Sequence, residues 1–132
     1  MPTLSRWFIR TAFAALVAGL GLAVVTASKP TGGLLSPTVL HLLVVGWLTQ
    51  MVFGVAYWLF PTQTGPAPRG REWLSVVCYL ALNVGLLLRV AAEPRATASG
   101  PRTAALIGSA VLQLVAAFAF VANTWPRVRT RT

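Results

Sequence analysis

Acidic side chains are almost missing from this sequence. Glu72 and Glu93 are the two carboxylates in 132 residues, set against eleven Lys and Arg, and charged residues of both signs amount to 10%. A water-soluble domain carries roughly a quarter charged residues, so a polar coat is lacking and a soluble fold is excluded. The scarcity of acid also removes a carboxylate pair for general acid–base chemistry. No nucleophile with an adjacent base and no phosphate-binding loop takes its place, so the chain shows no intrinsic catalytic group. The first apolar block contains no acid, which argues against a small multidrug transporter, since those proteins exchange protons for cations on a carboxylate in that helix. Cysteine occurs once, as Cys78, excluding an intramolecular disulfide, a CxxC motif and a cysteine metal cluster; a small core residue is expected there. Histidine also occurs once, as His41.

What is abundant is apolar sequence, at 56% of the chain. It falls into four blocks, residues 7–27, 38–60, 73–92 and 103–125, each near the roughly 20 residues that cross a hydrocarbon core. Water is absent there to satisfy backbone N–H and C=O groups, and the period-2 alternation of a barrel strand is lacking, so each block must be helical. Short connections rich in Pro and Gly separate the blocks: Ser28 to Gly33 with Pro37, Pro61 to Gly70, and Glu93-Pro94 to Gly100-Pro101, with Pro126 expected to end the last helix. The expected architecture is all-α, a single integral-membrane up-down four-helix bundle over residues 1–132. Arg6 and Arg10, an apolar run and Val25-Thr26-Ala27 before Ser28 resemble a signal peptide, but the block is long for a signal core and is read as a retained helix.

The net charge of +9 sits mostly in loops and tails, which points to lipid headgroups and topology rather than nucleic acid. Arg6, Arg10, Arg69, Arg71, Arg127, Arg129 and Arg131 share the side of the termini, against Lys29, Arg89, Arg95 and Arg102 opposite. That bias predicts a multi-pass protein of the inner (cytoplasmic) membrane with both termini cytoplasmic. Small residues spaced four apart, Ala15, Gly19 and Ala23 in the first block and Gly46, Gln50 and Gly54 in the second, are stripes for close helix packing, with Gln50 an interhelical hydrogen-bond partner.

Ionisable groups inside a membrane are functional candidates by default. Here they are His41 and Arg89, each about one turn inside the same boundary, at roughly 5–8 Å depth on neighbouring antiparallel helices. Imidazole is a common ligand for metals and heme iron, and guanidinium pairs with carboxylates such as heme propionates. The plain alternatives are a helix-end histidine bonded to a loop carbonyl and an arginine snorkelling to headgroups.

The stretch from His41 to Pro61, with its Gly46-Trp47 step, Gly54 and Tyr57-Trp58, resembles a helix of the catalytic subunit of heme-copper oxidases, most nearly the C-type oxidases and nitric oxide reductases. In that family the tenth helix opens with a His-x-His pair, followed by a Gly-Trp step and a run ending in Tyr and Pro. Aligned on Gly46-Trp47, His41 takes the position of the low-spin heme ligand, while Val39 takes that of the high-spin ligand beside copper. The resemblance places a cation for the propionates where Arg89 stands. Without further histidines a copper site cannot be built, so the chain by itself reduces neither oxygen nor nitric oxide. The resulting expectation is a small b-type heme protein, with His41 as metal ligand and Arg89 as cofactor-binding residue, serving electron transfer, heme sensing or a respiratory complex as accessory subunit. A cofactor-free structural or assembly subunit is the competing reading. Expected partners are membrane lipids and either a second copy, as a homodimer, or a larger membrane complex. Met51 lies ten residues from His41, about 15 Å along the helix, too far to be the second axial ligand. The sixth position is therefore open or filled by another chain.

Overall fold

A computed structural model describes residues 1–30, 35–95 and 97–129; Thr31 to Gly33 of the first connection and Arg131 of the tail lie outside them. Among the described residues no strand occurs, and four helices are long and apolar enough to cross a membrane. They are α1 (Thr3–Ala27), α2 (Pro37–Leu59), α3 (Glu72–Ala92) and α4 (Gly100–Arg129). Consecutive helices are antiparallel neighbours, α1 packed on α2 and α3 on α4, as their short connections require. Large apolar side chains, Val17, Val24, Leu87 and Phe118 among them, face outward. Such a surface is stable against lipid and costly against water.

The small-residue stripes do what their spacing implies. A methyl group on Gly46 would stand 2.7 Å from Ala15 Cβ, and one on Gly54 2.8 Å from Phe8 Cβ, so the backbones of α1 and α2 approach as closely as glycine permits. Cys78 is buried with Phe8, Ala81, Leu82, Ala116 and Ala119 in the central core. The two hairpins are joined midway by Gln50, whose Nε2 donates to Asn83 Oδ1 at 3.1 Å while Asn83 Nδ2 donates back to Gln50 Oε1 at 3.4 Å. Stacked rings of Phe53 and Phe120, 4.0 Å between centroids, add a second join.

Two features depart from the sequence reading. α2 is not uniformly α-helical: α-helical turns at Pro37–His41 and Gln50–Leu59 flank a π-helical segment, Leu42–Thr49. Thr49 Oγ1 accordingly donates to the carbonyl five residues back, Val44 O, at 2.8 Å. Such wide turns recur at functional sites, and this one begins immediately after His41.

The second departure is at the last helix, which runs through Pro126 to Arg129 rather than stopping before the proline. Arg127 is thereby carried into the protein, not into a headgroup-facing tail, and has 0% exposure. Its Nε donates to Pro61 O at 3.0 Å and its Nη2 to Tyr57 O and Phe60 O at 3.1 and 2.5 Å. These carbonyls close α2, where four C=O groups have no partner within the helix and the macrodipole is negative. The guanidinium also lies 5.7 Å from the Tyr57 ring centroid and 5.9 Å from that of Phe60, within cation–π range.

Candidate functional site

At the end of the bundle remote from the termini, α1 and α3 finish while α2 and α4 begin. The start of α2 is fixed locally: Ser36 Oγ accepts from Val39 N at 3.3 Å and Pro37 occupies the first helical turn, an arrangement suited to both residue types. One turn on, His41 Nδ1 lies 2.8 Å from Pro37 O. The same nitrogen is 2.8 Å from Glu93 Oε1, which closes α3. Both partners are acceptors when the carboxylate is ionised, so the ring proton belongs on Nδ1 and Nε2 carries the lone pair.

Glu93 is the residue the sequence reading missed. Its side chain is only 9% exposed, and an acid at a helix C-terminus opposes the macrodipole. That conflict is the signal by which it was detectable. His41 and Arg89 offset the cost: Arg89 Nη1 stands 3.8 Å from the same Oε1, one turn back on α3, while Arg89 Nε donates to Ser109 Oγ on α4 at 3.2 Å. His41 and Arg89 do converge, but through Glu93 and not by direct contact. His41 makes the helix-end carbonyl bond of its plain alternative, to Pro37 O, and engages a carboxylate besides; Arg89 is held by protein groups.

Beside this array lies a cavity of about 440 Å³, to which Glu93 and Arg89 contribute along with Lys29, Arg102, Leu22 and Leu106. Arg102 Nε donates to Ala92 O at 3.1 Å, anchoring α4 to the last turn of α3. His41 is not part of this wall. Among the described residues no group of three or more His, Cys, Asp or Glu is placed to hold a metal ion; a heme iron bound from one side needs only a single such residue.

No curated protein and no solved structure matches the chain. The resemblance of α2 to the oxidase catalytic subunit has to be corrected, because the family model that matches is a different one and no heme-copper oxidase family is found. The structure supplies the physical reason for the likeness. Gly46 and Gly54 admit α1, and the Tyr57 to Pro61 turn presents carbonyls to Arg127, so packing and capping account for the glycine–aromatic–proline pattern. The model of the NnrS protein family matches residues 4–131, nearly the whole chain, and the chain belongs to that family, whose membership suggests a heme-associated membrane protein.

Proposed function

We propose that this protein binds a b-type heme through Nε2 of His41 and passes electrons within a membrane respiratory assembly. The observation that carries the reading is the double hold on Nδ1, by Pro37 O and Glu93 Oε1. Ligating histidines characteristically give their second ring N–H to a carbonyl or carboxylate, which sets the tautomer, orients the ring and raises the basicity of the ligating nitrogen. His41 is 30% exposed in its side chain, so the ring is anchored at one nitrogen without being enclosed. The donor set thus fits one axial ligand. A bound heme supplies the one-electron couple of its iron; the chain supplies the ligand at His41, its orientation through Glu93, and a cation for a propionate in Arg89.

The excess of basic residues beside the termini supports an inner-membrane protein with cytoplasmic ends, which sets His41 near the outer face. A second ligand would come from a second copy, because His41 is the chain's one histidine and a two-fold dimer would offer the same residue from both sides.

Absorption spectra of the purified protein, oxidised and dithionite-reduced, test this directly. A Soret band with low-spin reduced features, one heme per two chains and no response to carbon monoxide are expected, and His41→Ala should lose the low-spin spectrum. An unchanged spectrum in His41→Ala would remove the histidine from the site, and a purified protein without a Soret band would leave the cofactor-free assembly subunit as the reading.

A further inference from the structure

We infer that the cavity beside Glu93 is a binding site for the phosphate of an anionic glycerophospholipid, gripped by Arg102 and Lys29 with Arg89 at the inner wall. The grip is made by Lys29 and Arg102, neither of which the heme reading uses; Arg89 lines the wall but stays with Glu93 and Ser109, and His41 does not line the cavity, so the inference stands whether or not heme binds.

Charge carries the first step. Lys29, Arg89 and Arg102 face the cavity and Glu93 is the one acid in its wall. That carboxylate is already engaged by His41 at 2.8 Å and Arg89 at 3.8 Å. Among the described residues neither Lys29 nor Arg102 pairs with a carboxylate. Two cations without acidic partners on a concave wall at the edge of a low-dielectric slab attract an oxyanion strongly. Arg102 is suited to a phosphate: its Nε is used by Ala92 O, which fixes the plane of the guanidinium and leaves the terminal nitrogens as a fork for two oxygens.

Position and shape identify the source of that phosphate. The cavity lies where four apolar helices meet the water boundary, the level of lipid headgroups. Leu22 of α1 and Leu106 of α4 stand one to two turns deeper along their helices than Lys29 and Arg102. An apolar wall below a cationic rim matches the junction of headgroup and acyl chain. A free inorganic anion would gain nothing from the two leucines.

The test is native mass spectrometry of the full chain released from vesicles of phosphatidylglycerol, compared with phosphatidylcholine. One retained phosphatidylglycerol per chain is expected. The double variant Lys29→Gln/Arg102→Gln should retain it roughly twenty-five-fold more weakly, at about fivefold per basic residue removed. Arg6→Gln/Arg10→Gln, with the same change in charge at the other end of the bundle, should retain it normally. Lys29→Arg should retain binding, whereas Arg102→Lys, which keeps the charge without the planar fork, should restore it only in part. If the double variant fails to fold, Lys29→Gln alone removes an exposed side chain and should still give the fivefold loss. The same retention in protein prepared with and without heme separates this site from the heme proposal. Equal retention of the two lipids, equal loss in the Arg6/Arg10 variant, undiminished retention without Lys29 and Arg102, or no retained lipid alongside saturable inorganic phosphate binding that the Lys29/Arg102 variant loses would each overturn the assignment.

Discussion

Replacing Arg127 by methionine should destabilise the bundle more than any substitution of an exposed basic residue. The methionine keeps an apolar stem of similar length but withdraws the donors from Tyr57 O, Phe60 O and Pro61 O. Hydrogen bonds from a charged group contribute roughly 1.5–3 kcal/mol each. Three of them overstate the loss, because desolvating the guanidinium is no longer required and carbonyls near the helix end regain water in part. A buried acceptor left unsatisfied costs about 1–3 kcal/mol, and with part of the carbonyl set rehydrated a net loss of about that size is the expected effect. Arg127→Lys should fall between, since an ammonium keeps the charge without the planar fork. Reversible unfolding in mixed detergent micelles, followed by tryptophan fluorescence, measures the change, with exposed Arg71→Gln as control. A value for Arg127→Met within about 0.5 kcal/mol of wild type, the range of ordinary surface substitutions, would refute the claim that this arginine closes α2.

Glu93→Gln should leave heme bound but raise its reduction potential, because a neutral amide at 2.8 Å from His41 Nδ1 withdraws less proton character from the ligand than a carboxylate; redox titration of the Soret band reads this, and a lowered or unchanged potential would contradict it. Gly54→Ala should destabilise by about 1–3 kcal/mol, since the new methyl would meet Phe8 Cβ at 2.8 Å with no flexible side-chain end to yield; the same detergent unfolding assay applies, and a neutral result would show that α1 and α2 separate freely. A C-terminal alkaline phosphatase fusion, active only outside the cytoplasm, should be silent, and an active fusion would reverse the orientation.

Four helices, their antiparallel order and the Gly and Ala stripes were all legible in the sequence because each follows from a local rule. Backbone polar groups in lipid must bond within their own segment, short loops leave neighbouring helices adjacent, and small residues four apart share a face. Gln50 was identifiable as an interhelical donor for the same reason, although Asn83, its partner, was not, since pairing depends on the relative register of α2 and α3. His41 and Arg89 were placed at one depth by counting residues. That Glu93 joins them needed the tertiary structure, because a carboxylate at a helix end reads as solvated until a neighbouring helix is seen to bury it. The π-helical segment after His41 was invisible to a count of regular turns. Arg127 is the sharpest case: a basic residue after a proline reads as tail, and only the arrival of α4 beside the open carbonyls of α2 decides that it is core. Residue type and spacing determine which groups need partners; the packing of α2 against α3 and α4 determined which partners they found.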